Sequence, residues 1–320
     1  MKALIFSEGN GYGHVARDRF ISERFGIPIM TFGKGAEYCR NSSLDFIEIP
    51  SPYLIHSTKD RVKIVTNPVQ LMRFLKPDVL PAIRAQFQKV DVVVVDGSPL
   101  GLAVAMLVGK KTVFLTNDTS ALVGVQGMLE KKVAGSLLRT LLQSPAALLV
   151  PDFPPPLTVS ILNLDTSLPL RFTGPLVGKM KHKAHKKKYV VAGPVEKAIR
   201  PILGDEAIYG SQVGDMGPYL RDSELVICHG GHTTMMEALS QGKPLLCIVD
   251  RAYPERYHNA MAVDRRGVGI LLEKNLVSEE SLLASIEFAK TLNRQSLKAY
   301  GRVAERSSPL TVFENTLRGL

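Results

Sequence analysis

Leu225 to Pro244 reads LVICHGGHTTMMEALSQGKP, and this stretch decides the fold. The apolar run from Leu225 to Cys228 has the length of a buried strand, and it halts at His229-Gly230-Gly231. A helical pattern opens at His232. A strand that feeds a glycine turn and then a helix start gathers exposed backbone N–H groups at the positive end of a helix dipole, which suits phosphate or diphosphate. His229, Thr233 and Thr234 add side-chain donors at the same place. Glu237 follows one turn later, where a carboxylate can accept hydrogen bonds from a sugar diol. Without a ligand, Thr234-Met-Met-Glu237 reads instead as a helix capping box.

The same alternation extends in both directions. Upstream, Lys2 to Phe6, Pro28 to Phe32, Asp45 to Ile49, Val90 to Val95, Thr112 to Thr116 and Ala146 to Val150 read as strands. Val15 to Phe25, Val69 to Val90, Pro99 to Val108 and Leu122 to Leu142 carry helical periodicity. Pro151-Asp-Phe-Pro-Pro-Pro156 breaks the pattern, and Phe172 to Gly178 reads as a joint. Strands resume at Tyr189 to Ala192, Ala207 to Tyr209, Leu225 to Cys228, Leu245 to Val249 and Gly269 to Leu272, with helices from Ser278 onward. Alternating β and α elements predict parallel sheets covered on both faces. The expected architecture is α/β: two doubly wound, Rossmann-like domains, residues 1–174 and 175–320, facing across a cleft. The tail after Pro309 is expected to return to the first domain, and ligands to bind at the carboxyl ends of the strands.

The chain of 320 residues, 45% hydrophobic and 22% charged, has the composition of an ordinary globular protein with room for two cores. Cys39, Cys228 and Cys247 show no paired spacing, which predicts a reducing compartment, no disulfide framework and no structural zinc. A strand pattern from the first residues leaves no room for a signal peptide, and no apolar run reaches membrane-span length. A cytoplasmic location follows as the expectation. The formal charge of +10 asks for an anionic partner. No nucleic-acid recognition motif accompanies it, so nucleic acid is not expected. Lys179 to Lys188, which holds much of the excess charge, reads as a solvated loop. His182 and His185 lack the companions of a metal site.

The first strand ends in Ser7-Glu8-Gly9-Asn10-Gly11-Tyr12-Gly13-His14. Glycines at 9, 11 and 13 do not make the dinucleotide fingerprint GxGxxG, and no acidic residue ends the second strand. A histidine near its ordinary pKa can take a proton from a hydroxyl at neutral pH, which makes His14 a candidate base and equally a plain polar cap. Asp96 ends the run VVVVD, and Asn117-Asp118 follows VFLT. Either aspartate, read by default as a turn residue, could orient His14 or accept the proton itself.

His229 to Glu237 resembles the donor-binding signature of inverting glycosyltransferases with the two-domain GT-B fold. The similarity points to the nucleotide-diphosphate-sugar transferases related to the lipid-linked GlcNAc transferases of cell-wall synthesis. That resemblance implies that His229 and Thr234 contact the diphosphate and Glu237 holds the ribose, with Gly230, Gly231, His232 and Thr233 completing the donor-binding turn. It makes residues 175–320 the donor-binding domain and residues 1–174 the acceptor-binding domain. Gly9, Gly11, Gly13 and His14 match in part the family's glycine-rich GGxGGH loop on the acceptor side, with Asn117 nearby and His14, Asp96 and Asp118 as the catalytic candidates. Glu255, Arg256 and Asn259 fall where the family contacts the donor sugar, with Arg256 departing from the usual glutamine. Ser211 and Val213 stand where the base is held.

The activity so implied is metal-independent, inverting transfer of a hexose, with GlcNAc the first choice, from a UDP-sugar to a lipid-linked or other glycan acceptor. The UDP-sugar is a co-substrate, no cofactor is implied, and no Asp-x-Asp motif offers a metal site. Two alternatives remain: a GT-B sugar-nucleotide epimerase or hydrolase, and a non-catalytic basic protein that binds anionic lipid or nucleic acid. The apolar stripe of Leu122 to Leu142, flanked by Lys131, Lys132 and Arg139, is expected to dock the amino-terminal domain peripherally on the inner, anionic face of a membrane.

Overall fold

The computed structural model describes residues 1–53, 76–119, 136, 138–178, 187–213 and 216–320. They form two compact units. The first comprises Met1–Pro151, Leu164–Thr173 and Pro309–Leu320. Asp152–Asn163 and Gly174–Ser308 make the second.

The first unit is built on a seven-stranded sheet in the order β3-β2-β1-β4-β5-β6-β7. Its strands are β1 (Ala3–Ser7), β2 (Ile29–Thr31), β3 (Phe46–Glu48), β4 (Val92–Asp96), β5 (Lys111–Leu115), β6 (Ala147–Val150) and β7 (Leu170–Phe172). Every pairing is parallel. That is why Val92 to Val95 is an unbroken valine run: a central parallel strand is covered on both faces, and all four side chains are buried. Helices α1 (Gly13–Phe25), α2 (Gly33–Asn41), α3 (Leu80–Gln88) and α4 (Pro99–Leu107) connect the strands. The sequence pattern missed α2, whose Gly33 and Gly35 read as loop, and β7, three residues with an arginine at their centre.

The second unit holds a five-stranded sheet in the order β12-β11-β10-β8-β9. Its strands are β8 (Tyr189–Ala192), β9 (Ala207–Tyr209), β10 (Leu225–Cys228), β11 (Leu245–Val249) and β12 (Gly269–Glu273), again all parallel. Helices α5 (Glu196–Leu203), α6 (His232–Ser240), α7 (Pro254–Arg265), α8 (Glu279–Ala289) and α9 (Arg294–Arg306) belong to it. Helix α10 (Pro309–Arg318) lies with the first unit, where Phe313 meets Phe25 of α1 at 5.6 Å between ring centroids.

The division into units differs from the sequence expectation in one segment. Residues 152–163, upstream of the expected boundary at 174/175, belong to the second unit. Phe153 is fully buried there, edge-on to Tyr300 at 4.8 Å, and Asp152 accepts hydrogen bonds from the backbone N–H groups of Phe153, Val159 and Ser160. Cys228 and Cys247, far apart in sequence, are register partners on β10 and β11, with their sulfurs 3.9 Å apart as buried free thiols.

Of the apolar region 122–142, residues 122–135 and 137 lie outside the described residues, as do 179–186 of the lysine run and 69–75 of the expected helix from Val69 to Val90. Leu138 and Leu142 pack into the core of the first unit, so Leu138 is not a lipid-facing side chain. Arg139 pairs with Asp165 at 3.1 Å. No helix among the described residues is long and apolar enough to cross a membrane.

Candidate functional site

Each sheet reverses its winding direction at one place, and each reversal holds a histidine against a left-handed glycine. In the first unit the reversal lies between β1 and β4. His14, in the first turn of α1, sets its Nδ1 3.0 Å from Oδ1 of Asp96, the last residue of β4. Gly97 follows with φ +67°, and a Cβ there would stand 2.2 Å from His14 Cε1. Glycine is required at 97 both for the backbone conformation and for the imidazole to lie against it.

Asp96 is fully buried and bound twice by Arg17, through Nε at 2.6 Å and through Nη2. Arg17 also donates to Asn117 Oδ1 at 3.2 Å and approaches His14 Nδ1 at 3.1 Å. Burial alone would raise the Asp96 carboxyl, but the Arg17 charge and His14 hold it well below the ordinary carboxylate range. Nearby Asp18, also fully buried, is pushed well above that range by burial and by the charge of Asp96. Glu8, behind the glycine loop, is raised by burial and accepts hydrogen bonds from Asn10 at 2.6 Å and Tyr53 at 3.2 Å.

The structure therefore brings His14, Asp96 and Asn117 together and adds Arg17, which the sequence reading passed over. The signal was present: Arg17 lies three residues after His14, on the same face of a helix. Asp118 is engaged in a local turn, its N–H donating to Thr116 Oγ1 at 3.0 Å and its carbonyl accepting from that hydroxyl at 2.7 Å. Of the loop glycines, Gly9 packs so tightly that a Cβ would meet the Phe32 carbonyl oxygen at 2.0 Å, whereas Gly11 faces open space and Gly13 begins α1.

In the second unit the reversal lies between β8 and β10. His229 directly follows β10, and Gly193, with φ +88°, directly follows β8. A Cβ on Gly193 would stand 2.3 Å from His229 Nδ1. Burial, reinforced by the Arg256 charge, pulls the His229 pKa down to about 4, so the ring is neutral at pH 7. It can offer a diphosphate one N–H donor rather than a positive charge. Gly230, φ +77°, lets the turn press against the backbone of α7, where a Cβ would meet the Arg256 carbonyl oxygen at 2.6 Å.

Helix α6 starts with Gly231 as its N-cap and no side-chain cap hydrogen bond. Thr234 is the third helical residue rather than the cap, so Thr234 to Glu237 is not a capping box. Thr233, Thr234 and Glu237 are half-buried. His232 and Asn259 turn inward instead. His232 Nε2 lies 3.2 Å from Asp152 Oδ2, both side chains buried. Asn259 is fully buried, donates to the Gly230 carbonyl at 3.2 Å and accepts from Asn163 at 2.9 Å. Both side chains take partners within the protein at the turn, and the backbone of His232 opens α6. Arg256 sits over the Tyr253 ring at 4.8 Å, with half-buried Glu255 beside it at the start of α7. Ser211 donates to Glu196, an ion-pair partner of Arg200, so its hydroxyl anchors the loop that carries half-buried Val213.

Residues 198–309 match the glycosyltransferase family 28 C-terminal domain, a span that contains the His229 turn, α6 and α7. An uncharacterized glycosyltransferase of Methanosarcina mazei is 29% identical over 379 residues, covering 98% of this chain and 97% of that relative. The solved structure of spinosyn rhamnosyltransferase SpnG complexed with thymidine diphosphate superposes with a TM-score of 0.68 at 16% identity, covering 98% of this chain and 99% of the other. The chain is a GT-B glycosyltransferase. A third, local likeness is to the UDP-N-acetylglucosamine–N-acetylmuramyl-(pentapeptide) pyrophosphoryl-undecaprenol N-acetylglucosamine transferase of Chlorobaculum tepidum, 30% identical over 104 residues and covering 30% of this chain and 27% of that protein. Assignment as a glycosyltransferase replaces the reading of a non-catalytic basic binding protein. In this glycosyltransferase both histidines follow strands at the reversal points of doubly wound sheets, where such sheets bind ligands.

Proposed function

We propose that this glycosyltransferase moves a hexose from a nucleoside diphosphate sugar, UDP-GlcNAc in the first instance, to a hydroxyl of a lipid-linked or glycan acceptor, with inversion and without a metal. One observation carries the donor half: α6 begins at a glycine turn with no side-chain cap, and His229, Thr233, Thr234 and Glu237 stand around that start. Backbone N–H groups, two hydroxyls and the neutral His229 ring suit the diphosphate, and Glu237 suits the ribose diol. The thymidine diphosphate named in the SpnG complex and the UDP-N-acetylglucosamine named for the Chlorobaculum enzyme support a pyrimidine diphosphate.

The acceptor half falls to His14. With Nδ1–H donating to Asp96, Nε2 keeps a lone pair and can take the proton of the acceptor hydroxyl. The acceptor oxygen then bonds to the anomeric carbon, the carbon–oxygen bond to the diphosphate breaks, and the diphosphate leaves with the electron pair. Asp96 stays ionised because Arg17 binds it, so it orients and stabilises the imidazolium without taking the proton. A thermal-shift panel of UDP, dTDP, GDP and their sugars, with product analysis of each hit, tests the reading. UDP is expected to raise the melting temperature of the wild type, and Glu237→Ala is expected to abolish that rise while remaining folded. An unchanged rise in the variant removes the ribose role from Glu237.

A further inference from the structure

Helix α9 carries Arg294, Lys298, Arg302 and Arg306 at every fourth position. All four are exposed, and among the described residues no carboxylate pairs with them. Some other exposed cations of the same unit are paired, Arg200 with Glu196, Arg251 with Glu273 and Lys290 with Glu287. At about 1.5 Å per residue the four charges span roughly 18 Å. The opposite face of α9 is anchored by buried Leu297 and Tyr300, so the charged face turns outward.

The amino end of this ladder borders a cavity of about 420 Å³ at the starts of β8 and β10, the strand ends opposite to the one that carries His229. Lys243, Lys290, Arg294 and Lys298 line it against a single carboxylate, Glu224, over an apolar floor that includes Ile286 and Leu292. Lys243 and Lys290 are committed, to the Ser223 carbonyl at 2.8 Å and to Glu287, which leaves Arg294 and Lys298 to meet an anion.

We propose that this face docks the second unit on an anionic phospholipid surface. Headgroup phosphates meet Arg294 and Lys298 at the cavity mouth and Arg302 and Arg306 along the ladder. A row of unpaired cations along one helix face is the charge pattern that an anionic lipid surface attracts. Nucleic acid fits less well, because the cavity has an apolar floor and no amide side chain to read a base. The docking element differs from the Leu122 to Leu142 region that the sequence suggested, and the inference does not depend on the acceptor's identity.

Cosedimentation of the full chain with phosphatidylcholine vesicles, with and without phosphatidylglycerol, tests it. Binding is expected only to the anionic vesicles and is expected to weaken with salt. At about fivefold per cation removed, Arg294→Ala/Lys298→Ala/Arg302→Ala should weaken partitioning roughly a hundredfold. The corresponding variant with lysine at 294 and 302 should retain binding. Equal binding to neutral vesicles, no binding by the wild type at low salt, or a triple-alanine variant that partitions like the wild type overturns the proposal. So does single-stranded RNA that displaces the protein from the vesicles. The UDP thermal shift of the triple variant is expected to match the wild type, so failure of docking and failure of the donor reading are told apart.

Discussion

Replacing Arg17 by methionine keeps the length and apolar stem of the side chain and removes only the guanidinium. In the folded protein Arg17 is 3% exposed and Asp96 0%, so the variant strands a carboxylate that water cannot reach. Breaking one side of a buried ion pair costs about 3–5 kcal/mol, most of it the penalty on the partner left behind. The sign of the pH dependence is specific. In the wild type the Asp96 pKa is lowered, so its contribution to stability is present above the ordinary carboxylate pKa and is lost as pH falls. Without Arg17, burial is the largest remaining influence and raises the pKa, so stability is lost as pH rises through the new value. The charge of Arg17 also restrains Asp18, whose already raised pKa should climb further. The gap between wild type and Arg17→Met should therefore widen from about pH 4 to about pH 8. Urea unfolding across that range, with Asp96→Asn and the double variant completing a cycle, measures it. The double variant should recover a good part of the loss, because an amide is cheaper to bury unpaired than a carboxylate. A loss below about 1 kcal/mol, or a gap that shrinks as pH rises, refutes the buried-pair argument.

Gly97→Ala should cost about 1–2 kcal/mol for its left-handed backbone and push the His14 ring off Asp96; transfer should fall about a hundredfold or more while UDP binding persists. Normal transfer by this variant would show that the His14 geometry is dispensable. In a proton NMR titration His229 should titrate near 4 in the free protein, and UDP, by adding negative charge beside the ring, should raise that value. A pKa unmoved by saturating UDP would place the diphosphate elsewhere. Transfer should persist in EDTA, because the proposed diphosphate grip uses N–H and hydroxyl donors; loss with chelator and recovery with magnesium or manganese would disprove metal independence.

The fold was legible because strand and helix periodicities are local. An unbroken apolar run such as Val92 to Val95, followed by a turn and a helical pattern, identifies a buried parallel strand without reference to the rest of the chain. The turn after Cys228 was legible for the same reason, since its glycines, hydroxyls and Glu237 are neighbours in sequence. Short or glycine-rich elements such as β7 and α2 were not, because three residues carry no period and glycine reads as a break.

What the sequence could not decide were the roles of polar residues whose partners lie far along the chain. Asp96 and Asp118 looked equivalent until the parallel pairing of β1 with β4 placed Asp96 beside His14. Arg17 became visible only as the partner of a buried carboxylate. His232 and Asn259 were expected around the donor, and the tertiary packing gives their side chains partners in Asp152 and the Gly230 carbonyl. Likewise Gly97 and Gly193 carry no motif of their own. Each is needed because a histidine from a different strand–helix junction occupies the space its side chain would fill. Backbone conformation follows from nearest neighbours, whereas burial and ion pairing depend on which distant segments the sheet order brings together, and those two decide the chemistry of a polar side chain.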